Sequence, residues 1–158
     1  MLYMKRFILL ILLVIPSITF AQLPAMKSLG KEAKRHSNVD YFSVGSTMLD
    51  MASTFANKEK RETFRMLKHI DMIECQNPAY APALKAKAES IASSIGATLI
   101  GKEIEDGSVS EVYALKSGEV VNELIIIITD QKGKLAVVAM TGEIPIDRLH
   151  KIAELREK

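Results

Sequence analysis

Histidine and cysteine are the residues of this sequence that could bind a metal or act as nucleophilic groups, and they are scattered. The histidines are His36, His69 and His150, and the single cysteine is Cys75. None of them lies two or four residues from another, the spacing at which His and Cys on one element share a metal ion. We therefore predict no metal site and no cofactor.

The sequence also gives little support for hydrolytic chemistry. Residues 43–46 read Ser-Val-Gly-Ser and lack the flanking glycines of a nucleophile elbow. Glu103 and Glu105 alternate beside a predicted turn, a pattern typical of the solvated side of a hairpin. Residues 96–101 read as a helix end followed by a strand, so they do not form a phosphate-binding loop. The sequence predicts no catalytic residue.

Cys75 is the one residue with intrinsic reactivity, and a single cysteine excludes an internal disulfide. It ends the apolar stretch 70–75, which favours a small buried side chain near the end of a strand. An intermolecular disulfide and a reactive thiol are the alternatives. No histidine neighbours Cys75 in sequence to activate it.

The first 21 residues have the parts of a secretory signal peptide in the usual order. Lys5 and Arg6 give a positive start, and residues 7–15 form an unbroken apolar run. This run is shorter than the roughly 20 residues that span a bilayer. Small side chains before the predicted cleavage point, between Ala21 and Gln22, suit a signal peptidase. An uncleaved membrane anchor and a buried core segment are the alternatives.

Removal of the leader balances the charges of the chain. The full sequence has 21 basic and 19 acidic residues, and Lys5 and Arg6 account for the whole basic excess. The net charge of the mature chain therefore favours neither nucleic acid nor an anionic membrane. The remaining residues suffice for one domain with its own core.

The first half of the mature chain combines an N-terminal segment with alternating strands and helices. Residues 22–38 are basic and form either a short amphipathic helix or a loose arm, whose lysines and arginine are solvated or face a membrane surface. Residues 39–44 predict a strand. A helix follows, with Thr47 and Asp50 at capping-box spacing and a break expected within 57–62. The side chains expected to be buried by this helix are Met48, Met51, Ala52 and Phe55.

A strand over 70–75 leads to the clearest helix in the sequence. Asn77 is a good N-cap and Pro78 suits the first helical position, while Gly96 is expected to end the helix. Turn signals at regular spacing then predict four consecutive strands joined by hairpins. Residues 145–157 predict a final helix, with Ile146, Leu149 and Ile152 directed inward.

These elements predict an α+β fold with the order β-α-β-α-β-β-β-β-α. We expect two layers, with one mixed sheet that ends in an antiparallel meander and helices packed on it. The domain organisation is a signal peptide over 1–21, an arm over 22–38 and a single domain over 39–158. The predicted core residues are Leu84, Ile91, Leu124, Ile126, Ile128, Val137 and Leu149.

Several apolar strands and turns also resemble one bacterial family, the domain-of-unknown-function 4252 family. The segments that carry the resemblance are 122–128, 138–144, 73–75 and 39–48, and it extends over about 31–149. The charged stretch around 57–62 is longer here than in the family pattern. The resemblance implies a small exported protein, and it supplies no active site.

Two predicted strands are apolar on both faces, which a half-exposed strand is not. Residues 124–128 are apolar at every position, and residues 135–140 repeat the pattern. An exposed Ile leaves about 1.5–3 kcal/mol of hydrophobic free energy unused, so both faces need a cover. Either the C-terminal helix or the N-terminal arm covers the second face, or the face binds another subunit, another envelope protein or an apolar ligand.

The function that these observations favour is an exported, non-enzymatic binding or interaction module of the cell envelope, periplasmic or secreted. We expect its partner, another envelope protein or a second copy, at the sheet face near Ile125 and Ile127. An uncharacterised envelope enzyme is one alternative; it requires polar residues that converge in a pocket. The other is a peripheral membrane protein that uses the basic arm. Neither a nucleic-acid partner nor a transmembrane segment in the mature chain is expected.

Overall fold

The computed structural model describes residues 22–150 and confirms the predicted α+β class. Four helices, six strands and one 3₁₀ turn are present in this part of the chain. The helices are α1 Gln22–Ala33, α2 Ser46–Phe55, α3 Lys58–Met66 and α4 Ala81–Ser94. The strands are β1 Val39–Gly45, β2 Leu67–Cys75, β3 Thr98–Glu105, β4 Ser108–Ser117, β5 Val120–Thr129 and β6 Leu135–Pro145. The 3₁₀ turn is Ile146–Arg148, residues 149–150 are helical, and residues 151–157 of the predicted C-terminal helix lie outside the described residues.

The meander over β3 to β6 forms at the predicted turns. Asp106 and Gly107 have φ values of 48° and 77°, the pair of positive values that a tight hairpin turn of type I′ requires. The predicted boundaries hold to within a few residues, and β6 extends further, to Pro145. Consecutive strands therefore pair as antiparallel neighbours.

The sheet is antiparallel throughout, so the predicted mixed sheet is wrong. The strand order is β1-β2-β6-β5-β4-β3, and every neighbouring pair runs antiparallel. The error arose at the connection between β1 and β2, which was expected to cross over. The helices α2 and α3 instead return the chain to the end of the sheet that it left. β2 therefore pairs with β1 directly, with Gly45 opposite His69.

The connection α2–α3, called here the helical hairpin (residues 46–66), confirms the expected break in the first helix. Asn57 ends the break as the N-cap of α3, and its side chain accepts a hydrogen bond from the Lys60 amide at 2.9 Å. The predicted capping box of α2 is absent, since its N-cap is Gly45 and no side chain caps that end. The hairpin begins and ends directly at strand residues, which fixes it to one end of the sheet.

The predicted helix after β2 forms later than expected. Asn77 and Pro78 lie in a turn that precedes α4, and the helix begins at Ala81. The Asn77 carbonyl accepts hydrogen bonds from the amides of Tyr80 and Ala81, so this residue still organises the entry to the helix. At the other end Gly96 has a φ of 80° and terminates the helix as predicted.

One face of the sheet, called here the α1–α4 face, contains the main core. α1 and α4 pack against it, and an ion pair between Glu32 and Lys87 joins the two helices. Lys87 lowers the pKa of the Glu32 carboxyl. The predicted arm is thus part of the folded domain, and the basic side chains of α1 are on its solvated side. The principal core residues are Met26, Leu29, Ile73, Leu84, Ala88, Ile125, Ile127 and Val137.

The opposite face, called here the hairpin face, has a smaller core beneath the helical hairpin. Its buried members are Leu49, Leu67, Ala114, Val121, Leu124, Met140 and Ile144. Leu149 also packs against this cluster and is half-buried. Of the predicted core residues, Leu84, Leu124 and Val137 are buried, whereas Ile91, Ile126 and Ile128 are only partly buried. The cover of this face is therefore incomplete.

Gly142 determines how closely the helical hairpin approaches the sheet. A Cβ atom at this position would lie 2.1 Å from the Met66 carbonyl oxygen, which is backbone and cannot rotate away. We expect Gly142→Ala to reduce the free energy of unfolding by about 3 kcal/mol, measured by urea denaturation.

Gly101→Ala is the matched control, because its Cβ would meet only the Val112 Cβ at 4.0 Å. This change should be neutral or stabilising, since Gly weakens a strand interior. Equal losses of stability in the two variants would contradict the role assigned to Gly142.

Candidate interaction surface

The polar side chains of β1 and β2 form a network that resembles a catalytic triad in composition. Ser43 Oγ lies 3.1 Å from His69 Nε2, and Asp71 Oδ2 lies 3.2 Å from the same nitrogen. A triad requires the hydroxyl and the carboxylate on opposite ring nitrogens, so that the ring takes a proton from one side while the other is held. Nε2 cannot serve both partners in this way. The geometry therefore does not support a serine nucleophile.

Tyr41 completes this network. Its hydroxyl donates a hydrogen bond to Asp71 Oδ1 at 2.7 Å. Burial of the phenol, together with the hydrogen bond to Asp71, raises the pKa of Tyr41 to about 12. α1 crosses the Tyr41 ring at Gly30, where a Cβ would lie 2.3 Å from ring carbons. The network thus satisfies a buried carboxylate and holds β1, β2 and α1 together.

Glu123 is a second buried carboxyl group, on β5. It is opposite Thr141 of β6 and is almost fully buried. Desolvation raises the pKa of this carboxyl to about 7. Sequence analysis missed it, because a single Glu before an apolar run has no distinguishing signal. The raised pKa of Glu123 makes the stability of the fold depend on pH.

Cys75 is a small buried side chain at the end of a strand, as the sequence predicts. It is the last residue of β2, it is buried, and its thiol donates to the Asn77 carbonyl oxygen at 3.3 Å. The side chain is only 1% exposed. A thiol in this position is sheltered from disulfide exchange with another chain.

The partner surface predicted from the sequence is wrong in its location. Ile125 and Ile127 lie on the α1–α4 face and are 0% and 1% exposed. Helices α1 and α4 already cover them, so no second chain can reach them. The alternating residues Ile126 and Ile128 lie on the hairpin face and are half-buried. The sequence shows that both faces need a cover, but it does not show which helices supply it.

α2 exposes the side that was expected to be buried. Met48, Met51 and Phe55 are 58%, 62% and 91% exposed, and Ala52 between them is exposed too. The helix instead buries Leu49 and Ser53. We call Met48, Met51, Ala52 and Phe55 the docking face. These residues have the spacing of one helical stripe. That spacing predicts the stripe, but it does not show whether the stripe faces the core or solvent.

The end of α2 is held by α3. The Arg61 guanidinium donates hydrogen bonds to the carbonyl oxygens of Ser53 at 3.1 Å and Ala56 at 3.3 Å. These bonds add a charged donor to the last carbonyls of α2, and the Ser53 carbonyl also accepts the Ala56 amide at 3.4 Å. Arg61 therefore holds the docking face in an ordered position even though Phe55 itself is nearly free of neighbours.

The hairpin face of the sheet carries a second row of apolar side chains. Phe42 of β1 is 56% exposed. It lies opposite Met72, which is followed across the hairpin face by Val138 and Ile126. These three side chains are half-buried. Together with the docking face, the exposed Phe42 gives the hairpin side of the sheet several exposed apolar side chains, a feature of interaction surfaces.

Two further features bear on the kind of site. Between residues 22 and 150, no group of three or more His, Cys, Asp and Glu side chains could hold a metal ion. None of the helices in the described part of the chain has the length and apolar character needed to cross a bilayer.

Comparison with known proteins connects this fold to a family. The model of the family described as Domain of unknown function (DUF4252) matches residues 33–152. The chain belongs to this family. No curated protein and no solved structure matches it at a significant level. The DUF4252 match confirms the family resemblance read from the sequence, and it includes all six strands and the helical hairpin.

The raised pKa of Glu123 predicts how the unfolding free energy depends on pH. Because its pKa is raised on folding, its contribution is fully present when the carboxyl is protonated in both states, and is lost as the pH rises through about 7. Relative to Glu123→Gln, the wild-type DUF4252 domain should lose about 2 kcal/mol of unfolding free energy between about pH 5 and about pH 8. Urea titrations at both pH values measure this difference.

Glu119→Gln is the control, on an exposed position of the same hairpin. It should show the same pH dependence as wild type. If Glu123→Gln also follows the wild-type curve, the carboxyl does not titrate in this range and the assignment is incorrect.

Proposed function

We propose that this DUF4252 domain is an exported interaction module of the cell envelope, and that it acts by docking through the helical hairpin. The observation that carries the proposal is the docking face of α2. Three large apolar side chains on one helical stripe are directed into water, the most exposed of them at the tip. Full burial of a Met or Phe side chain is worth about 1.5–3 kcal/mol.

The docking face is held in a fixed position, which supports a role in binding a partner. Asn57 caps α3 and Arg61 holds the last carbonyls of α2, so the tip is fixed from both sides. A surface that is already ordered loses little conformational entropy on binding. The exposed side chains are therefore available in one arrangement.

The polar residues support docking over catalysis. Ser43, His69, Asp71 and Tyr41 satisfy one another across two strands. A catalytic site needs polar groups that converge on an open cavity. In this network the side chains bond to one another and stabilise the fold, which favours a binding module over an envelope enzyme.

The leader supports a location outside the cytoplasm. Residues 1–21 have the composition and order of a signal peptide, and their removal leaves a chain with balanced charge. We expect the protein in its native cell to begin at Gln22, in the periplasmic or secreted fraction. Intact-mass measurement of the purified protein tests this, and a mass that includes Met1 in the cytosolic fraction would contradict export.

A photo-cross-linking experiment tests docking without assuming the class of partner. p-Benzoylphenylalanine is placed at Phe55 in the native cell, because it reacts with C–H bonds of protein and lipid alike. We expect adducts with a protein or with acyl chains at this position. Lys116, exposed on β4, is the control position and should give few adducts. Equal yields at both positions would show that the docking face has no specific role.

A further inference from the structure

We infer that the surface bound by the helical hairpin is an anionic phospholipid bilayer, onto which the hairpin docks from the side. This inference rests on the proposed docking function and names its partner. It moves the membrane contact from the N-terminal segment, where the sequence suggested it, to residues 46–66. α1 cannot provide that contact, because Met26 and Leu29 are buried in the core.

The charges beside the docking face indicate an anionic partner. α3 has four basic and two acidic residues. Lys58, Lys60 and Arg65 form no ion pair with any residue between 22 and 150, whereas Glu62 is paired with Arg148. The chain is neutral after removal of the leader, so this cluster is a local feature. Its positive charge next to Met and Phe side chains is the composition of an interfacial membrane anchor.

The shape of the tip favours a bilayer over a protein surface. Phe55 is the last residue of α2, and its 91% exposure means that it projects from the turn with almost nothing around it. A protein partner would need a preformed pocket to surround such a residue. A bilayer accepts a projecting aromatic ring without a complementary shape, and the lysines of the same turn then meet the headgroups.

Self-association through the docking face is disfavoured by the same charges. An antiparallel pair of α2 helices would place Lys58 beside the N-terminus of the partner helix, which carries partial positive charge. A parallel pair would place the two basic tips together. Asp50 is the only acidic residue of α2 and lies in its middle. A second copy therefore does not supply the negative charge that this surface needs.

Membrane binding by the helical hairpin should combine apolar burial with electrostatic attraction. The docking face is about 10 Å long, so its apolar burial alone gives weak binding. Electrostatic attraction to anionic headgroups must add to it. Binding should require both the apolar tip and the lysines, and it should weaken when salt screens the charges.

The test uses the exported protein purified from its native cell and unilamellar vesicles. One set is phosphatidylcholine with about one third phosphatidylglycerol, and the other is phosphatidylcholine alone. In co-sedimentation at low salt, we expect the partition coefficient to be about tenfold higher on the anionic vesicles. Addition of salt to about 1 M, where the Debye length is about 3 Å, should abolish the difference.

Two pairs of matched variants locate the contact. Phe55→Ser and the double change Lys58→Ser with Lys60→Ser should each reduce partition at least about fivefold. Ile104→Ser, at an apolar residue 69% exposed on β3, is the control for Phe55. The double change Lys116→Ser with Lys132→Ser is the control for the lysine pair, since both lysines are exposed elsewhere. The controls should bind as wild type does.

Three results would overturn the inference. The first is equal binding to both vesicle compositions, and the second is no binding to either. The third is equal loss of binding in the hairpin variants and their controls. If vesicles do not bind but cross-linking at Phe55 yields a protein adduct, the docking function stands and its partner is a protein. If neither experiment gives a signal at the hairpin, both proposals fail.

Discussion

The pairing of β5 with β6 is the constraint on which the rest of the structure depends. Residues 124–128 and 135–140 are apolar at almost every position, and they pair in register at the centre of the sheet. Side chains of successive residues point to opposite faces, so the two strands place apolar groups on both sides at once. Helices must therefore pack on both faces. α1 and α4 cover one, and the helical hairpin covers part of the other.

The two covers differ in quality, and this difference accounts for the exposed surface. On the α1–α4 face, two helices joined by Glu32 and Lys87 bury Ile125 and Ile127 completely. On the hairpin face, one short hairpin is fixed to the end of the sheet by its direct junctions with β1 and β2. Gly142 lets it approach closely there, and Leu49 is buried beneath it. The helical stripe on the other side of α2 is left in water.

The buried polar groups fit the same arrangement. Asp71 lies within the α1–α4 face, and Tyr41 and His69 satisfy it. Glu111 forms an ion pair with Lys85 of α4 at 3.0 Å, and the nearby carboxylate raises the pKa of Lys85. A buried carboxylate that loses its partner is costly. These contacts thus tie β1 to β2 and α4 to β4.

Much of the fold was determined by local sequence. Apolar runs separated by Asp106-Gly107, Gly118 and Gly133 define the hairpins, because residues with positive φ in short turns leave the chain few alternatives. Gly96 ends α4 for the same reason. The burial of Cys75, the break near Asn57 and the need to cover both faces of β5 and β6 also followed from residue type and spacing. The direction of the connections did not.

Tertiary structure alone decided which face each helix covers. An apolar stripe such as Met48, Met51 and Phe55 has the same period whether it faces a core or solvent, so periodicity cannot assign its direction. The connection between β1 and β2 returns to the end of the sheet that it left, so the two strands pair antiparallel and the predicted mixed sheet does not form. The pKa of Glu123 likewise depends on residues far away in the chain that exclude water from it. Each of these outcomes depends on long-range packing, which short-range patterns do not specify.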